Sequence, residues 1–271
     1  MVTELEYAAL SAFVYNDQRG GGPSGTENKL DVPPGWSRLE TRGFVTGSRL
    51  VGSNTFSFTA GAFINAAGEV VIAFKGTDFL TEWGRQHHLV SDLLADIGLA
   101  FAGSVGLYQL LASSTYFLEV VRWAAKENID PAKISFTGHS LGGGLASIMA
   151  VWFDRPAVNF AEAPFEQTAM DPLTVALAAQ ALALQAVATG SGAVAGELGR
   201  LINLLVPLEY QRRQSAIVNY HNRGEVAPIP PRNPAGGDGA GSPDRRWRRS
   251  VLSISCSFSA LHKPSHRVAG R

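Results

Sequence analysis

The stretch KISFTGHSLGGGLASIMAVW, residues 133–152, constrains the fold more than any other part of this chain. It begins with the β-favouring residues Ile134 and Phe136, turns through Gly138-His139-Ser140-Leu141-Gly142, and runs on as small and apolar residues that read as a helix. A strand delivered by a sharp turn into a helix is the setting of the G-x-S-x-G elbow, where a serine hydroxyl stands clear of the backbone. Its glycines have a mechanical reason: only neighbours without side chains let the backbone crowd that closely. The helix start also aims unpaired N–H groups and the positive end of its dipole at the place where negative charge would develop. Ser140 is therefore the candidate nucleophile, set against the plainer reading of a glycine-rich turn between strand and helix.

The flanking chain has a fold-class signature. Residues 4–15 carry Leu5, Ala8, Ala9, Ala12 and Phe13 at helical spacing and predict an opening amphipathic helix with nothing catalytic in it. Residues 16–36 read as a loop ending in Pro33-Pro34-Gly35. Two β-type runs, 54–64 and 69–74, are joined by Asn65-Ala66-Ala67-Gly68, a hairpin turn on composition. A long helical region at 91–128, expected to split near Gly103 and Gly106, ends at Asp130-Pro131. Strands follow the elbow helix at 157–163 and 215–220. Alternation of strand and helix around Ser140 predicts an α/β fold, a mostly parallel sheet with helices on both faces. Functional residues then belong in loops at the C-terminal ends of the strands.

Several other residue types have chemistry in reach of such a serine. A tetrahedral oxyanion needs preorganised donors; one is supplied by the N–H of the residue after the nucleophile, Leu141 here, and another by a loop after a different strand. Thr77, in Phe74-Lys75-Gly76-Thr77-Asp78, fits that second place, with an ordinary Gly-Thr-Asp turn as the competing reading. Glu225, in the loop after the strand at 215–220, stands where an acid would orient a histidine, with a surface ion pair as the alternative. His87 and His88 precede the serine, the wrong order for Ser, then acid, then His. Asp92 and Asp96 sit where helix-start capping explains them, and His221 reads as structural.

Composition removes other classes. Basic and acidic residues balance at 23 each, which gives no reason to expect a nucleic-acid partner. The single cysteine, Cys256, cannot form an internal disulfide, and no Cys/His cluster has zinc-site spacing, so neither metal nor cofactor is expected. Acids occupy the N-terminal positions where a signal peptide carries lysine or arginine; the expected address is cytoplasmic, with export by a non-N-terminal signal left open. The apolar run at 173–190 is interrupted by Gln180 and Gln185 and is expected not to span a membrane. It belongs to an inserted helical pair at about 171–213, which reads either as a cap giving an apolar wall for acyl chains or as ordinary packing.

Taken together, VVIAFKGTD and ISFTGHSLGGGLAS resemble the class 3 lipase-like branch of the α/β-hydrolases, in its bacterial form with a helical insertion. The openings ELEYAALSAFVYND and FSFTAGAFIN resemble the same group, and the resemblance runs from about Glu4 to Val226. It implies Ser140 as nucleophile, Thr77 with the Leu141 N–H as oxyanion hole, and Glu225 as the acid. The family's acid loop carries Asp, so glutamate in NRGEVAPIPP is a departure that demands a different loop geometry. Residues 1–226 are then the hydrolase domain. Beyond them, seven arginines and one lysine stand against two aspartates in a Pro/Gly/Ser-rich tail, 227–271, of the kind a frameshift in GC-rich coding DNA produces. The family's catalytic histidine falls in this tail, where His262 is the candidate and His266 the lesser one. The implied activity is hydrolysis of carboxylic esters of lipid or acyl type by a Ser-His-acid mechanism. The substrate is the expected partner, and peripheral contact with a lipid surface is compatible with the basic tail. The competing expectation is a hydrolase-fold protein impaired for lack of a working histidine.

Overall fold

Alternating side-chain direction along one strand decides the layering. The computed structural model describes residues 1–16, 30–45, 58–76, 104–206 and 208–221. Strand β3 (Val70–Phe74) is buried along its whole length. Val70, Ile72 and Phe74 enter one core and Val71 and Ala73 another, as a period of two requires of a strand covered on both faces. The larger core includes Leu145, Met149, Trp152 and Phe153; the smaller holds Tyr7, Leu10, Val14 and Trp36.

The sheet has six strands in chain order. They are β1 (Trp36–Arg38), β2 (Ala60–Asn65), β3, β4 (Ile134–His139), β5 (Ala157–Phe160) and β6 (Ile217–Tyr220). β1, β2 and β3 pair antiparallel, and β3 through β6 pair parallel. The β2–β3 hairpin closes through the expected turn, with Gly68 N–H donating to Asn65 O at 3.1 Å and the Asn65 side chain accepting from Ala67 and Glu69 N–H at 3.0 Å each. Parallel neighbours need crossovers, and helices supply them. Helix α1 (Glu4–Phe13) covers one face against β3, β4 and β5; α2 (Ser104–Lys126) and α3 (Leu141–Phe153) belong to the larger core on the other. The result is the expected α/β-hydrolase-like architecture, a mostly parallel sheet with helices on both faces.

Local chemistry fixes α1 where the sheet needs it. Thr3 and Glu6 form a reciprocal capping box, and the Trp36 indole donates to Glu6 Oε1 at 2.8 Å. Tyr7 Oη donates to Ser135 Oγ at 2.9 Å, pinning the helix to β4. Three expectations are corrected. Gly106 lies inside α2 and does not split it, because tertiary packing overrides the modest helix cost of a glycine; Gly103 lies outside the described residues. Trp36, placed at the loop's end by composition, instead opens an edge strand, Trp36–Arg38, too short to show periodicity. Preceded by the short α4 (Glu166–Met170), the inserted helical pair at about 171–213 is three helices, α5 (Pro172–Thr189), α6 (Gly192–Asn203) and α7 (Glu209–Gln214).

Helix α5 is 18 residues long with a mean hydropathy of 1.5, long and apolar enough by those measures to cross a bilayer. It nevertheless packs Val175, Ala178 and Leu182 into the larger core against α2 and α6, while Leu173, Leu184 and Val187 are exposed. The chain divides into two units, Met1–Tyr220 and His221–Arg271; of the second, only the exposed His221 is described.

Candidate active site

Ser140 sits between β4 and α3 with φ 55° and ψ −128°, a backbone conformation rare for a residue with a side chain. Such a conformation costs about 1–3 kcal/mol and persists only where the surroundings over-determine it. Here four hydrogen bonds do so. Ser140 N–H donates to Phe160 O at 3.1 Å, and Ser140 O accepts from the N–H groups of Gly143 at 2.9 Å, Gly144 at 3.1 Å and Ala163 at 3.0 Å. The side chain is half-buried, reachable from solvent.

The flanking glycines are required by close approach. A Cβ on Gly138 would collide with the carbonyl of Gly142, and one on Gly142 would collide with the carbonyl oxygen of Phe74 at the end of β3. The elbow is thus pressed against the β3 terminus, and no larger residue fits at either position. Leu141, buried at 4% exposure, opens α3. Its N–H is among those a helix start leaves without an intrahelical partner, beside Ser140 and at the positive pole of the helix.

The β3 end completes the described part of the site. Gly76 lies against the elbow: a Cβ there would meet Tyr15 Oη at 2.7 Å, His139 O at 2.8 Å and Gly142 N at 3.4 Å. Gly76 N–H donates to Tyr15 Oη at 2.8 Å, and the same hydroxyl donates to His139 O at 3.4 Å. Lys75, buried at 4% exposure, places Nζ 5.8 Å from the centre of the Tyr15 ring. Tyr15 therefore joins the tail of α1, the β3 end and the elbow. Sequence reading assigned this segment no part in the site; the signal, a tyrosine where the helix ends and a polar loop begins, has meaning only once α1 is laid across β3 and β4.

A second residue missed from sequence is Glu162, in the loop after β5. It is 6% exposed, accepts from Ser147 Oγ on α3 at 2.5 Å, and lies against Gly143. Burial pushes its carboxyl up to about 8. A lone acid in the apolar run AVNFAEA was the available hint.

Gly76, Ser140 and residues 161–163 follow the C-terminal ends of the parallel strands β3, β4 and β5, the edge where sites of such sheets gather. Of the site residues expected from sequence, the structure describes Ser140 and Leu141 and brings them together. Thr77, Glu225 and His262 lie outside the described residues, as do His87, His88, Asp92, Asp96 and His266.

A family model described as phospholipase-like, Tle-like phospholipase domain, matches residues 6–198. It spans Tyr15, Thr77, Ser140, Leu141 and Glu162, and stops short of Glu225 and His262. The lipase-like resemblance read from VVIAFKGTD and the elbow agrees with it at the level of a lipase or phospholipase; the class 3 branch is not the one the match names. No curated protein matches the chain.

Proposed function

We propose that this chain, which belongs to the Tle-like phospholipase domain family, is a serine hydrolase that cleaves the carboxylic ester bond of a lipid substrate. The observation that carries this reading is the backbone of Ser140, held at positive φ between strand and helix by glycines that admit no side chain. A strained turn of that kind is retained where its strain serves a hydroxyl that must stand free.

In the proposed mechanism Ser140 Oγ attacks the acyl carbonyl. His262 takes the hydroxyl proton and returns it to the leaving alcohol, and Glu225 holds the imidazole by accepting its Nδ1–H. The Leu141 N–H and Thr77 bind the oxyanion, in a place where the α3 dipole already favours negative charge. Water, activated by the same histidine, then releases the acid and restores the serine. Support for Thr77 comes from its neighbour Gly76, which packs against Gly142 N and His139 O. Support for Glu225 is its place in sequence, shortly after β6 ends at Tyr220.

The test measures fatty-acid release from phosphatidylcholine vesicles and hydrolysis of a short-chain chromogenic ester. Ser140→Ala and His262→Ala are each expected to lower kcat by about 10⁴-fold or more, and Glu225→Gln to lower it with little change in KM. Wild-type turnover no greater than that of Ser140→Ala would overturn the hydrolase reading. Full activity in His262→Ala would remove that residue as the base.

A further inference from the structure

One buried carboxyl beside the elbow takes no part in the chemistry proposed above. Glu162 stands in a short loop that leaves β5 with strain of its own, since Ala161 carries φ 47°. The loop's backbone is bonded in two directions: Ala161 N–H donates to Tyr220 O at 2.7 Å, at the end of β6, and Ala163 N–H donates to Ser140 O at 3.0 Å. With Ser140 N–H on Phe160 O at 3.1 Å, residues 160–163 grip residue 140 through both its amide and its carbonyl.

The Glu162 side chain adds a further hold on the loop. It leaves beside Gly143, where a Cβ would stand 2.9 Å from Glu162 Cβ and 3.1 Å from its Cα. It then reaches Ser147, whose Oγ donates to Glu162 Oε2 at 2.5 Å and accepts from Asn159 Nδ2 at 2.8 Å. Gly143 and Ser147 are four residues apart on α3 and share one face. The side chain thus runs along the first turns of the elbow helix, and Gly143 is a glycine because that track passes over it.

We propose that Glu162 is a positioning residue: by tying the loop after β5 to Ser147 on α3, it holds Ala163 N–H on the Ser140 carbonyl and fixes the backbone that aims the Ser140 hydroxyl. The role rests on the hydrolase reading and adds to it a device for keeping the strained elbow in place. Asn159, Ser147 and Glu162 come from β5, α3 and the joining loop, so the latch also ties the nucleophile's helix to the neighbouring strand.

The latch has a defined charge state. Burial is the largest influence lifting the Glu162 carboxyl to about 8; the Ser147 hydrogen bond pulls it down, Glu166 on α4 raises it, and Asn159 lowers it. The phenol of Tyr210 on α7 is itself pushed up, by burial first and then by the charges of Glu166 and Glu162. Among the described groups affecting Glu162, none is a cation that would stabilise its charged form. Below about 8 the carboxyl is neutral and fits its site; above, an anion is buried near Glu166 and the loop is driven off the helix.

The experiment uses the full chain and a soluble short-chain ester, with kcat and KM measured on both sides of pH about 8. Glu162→Gln, which keeps the shape without the charge, is expected to keep kcat within about threefold below that pH and to lose the alkaline decline of the wild type. Glu162→Ala is expected to lower kcat about tenfold to a hundredfold with KM nearly unchanged, the scale of a slightly misplaced reacting group. Three results overturn the proposal: wild-type kcat in Glu162→Ala, identical alkaline limbs in wild type and Glu162→Gln, or Glu162→Gln as inactive as Ser140→Ala, which would make Glu162 an ionised member of the reacting set. Thermal melting against pH judges the latch without turnover. The wild-type midpoint should fall more steeply towards pH about 8 than that of Glu162→Gln, and equal slopes would count against it. Equal turnover in wild type and Ser140→Ala would instead sink the hydrolase reading, with melting left to decide the latch.

Discussion

Tyr15 shows how much one hydroxyl can organise at the edge of this site. It accepts the N–H of Gly76 at 2.8 Å, next to Thr77 in sequence, and lies 3.4 Å from both His139 O and His139 Nδ1. Tyr15→Phe keeps the ring beside Lys75 and removes the hydroxyl, with its contact to His139, leaving the buried Gly76 N–H without that acceptor. An unpaired buried donor costs about 1–3 kcal/mol, so the β3 end at Gly76 should lose its hold on the elbow. We expect kcat to fall about fivefold to tenfold or more with KM within about twofold, the pattern of an interaction that matters in the transition state; steady-state assays of the short-chain ester check it, and an unchanged kcat would detach Tyr15 from the site. The elbow itself was legible in sequence because its demand is local: Gly138 and Gly142 flank Ser140 within one turn of chain. Tyr15 and Glu162 were not, because each acts on residues far along the chain, Gly76 for one and Ser147 for the other, and no local pattern marks a contact that only the sheet creates.

Helix α3 is built with two unlike poles. Its first turn is Gly-rich and faces the elbow, while its last carbonyls are answered by buried arginines about 20 Å away, at a rise of about 1.5 Å per residue. Arg213 Nη1 donates to Val151 O at 3.0 Å and Trp152 O at 3.1 Å, and Arg155 Nη1 to Phe153 O and Asp154 O at 3.1 Å each. Cations at this end complement the dipole and leave the positive pole for Ser140. Arg155 also meets Glu197 of α6 at 2.5 Å, both nearly fully buried, and this pair fastens the inserted helices to α3. Burial acts against charge on both partners, lowering the one group and raising the other. Glu197→Ala strands Arg155 and is expected to destabilise the protein by about 3–5 kcal/mol, read from urea unfolding; a loss of less than about 1 kcal/mol would mean the pair is no fastening. The hairpin strands and the helix after the elbow were legible from sequence at this scale, down to the Asn65–Gly68 turn. The three-residue β1 was not, having no room for a period, and the division of the insertion into three helices was not, because alanine and leucine density says that a segment is helical without saying where it breaks.

For the molecule as a whole, titration acts in two opposite senses. Glu6 is held below its ordinary range by the Thr3 backbone and the Trp36 indole, Glu69 by Asn65 and the terminal ammonium, and Asp154 by Arg212. A carboxylate with a depressed folded-state pKa contributes stability that is present above its unfolded pKa and lost as pH falls through the folded one. Glu162 and Glu197 are shifted the other way, chiefly by burial. Their stabilising contribution is complete below the unfolded pKa and is lost as pH rises towards the folded value, about 8 for Glu162. Among the described residues, the two sets together favour stability in mild acid, at pH about 5. The two limbs differ in kind. The acid limb rests on half-buried groups at the surface, which salt reaches, whereas Glu162 is 6% exposed and beyond the reach of mobile ions. Melting curves at low and high ionic strength should therefore show the acid limb flattening with salt while the decline from pH about 5 to about 8 persists. If salt removed that decline as well, its source would be surface repulsion in place of a carboxyl buried beside the elbow.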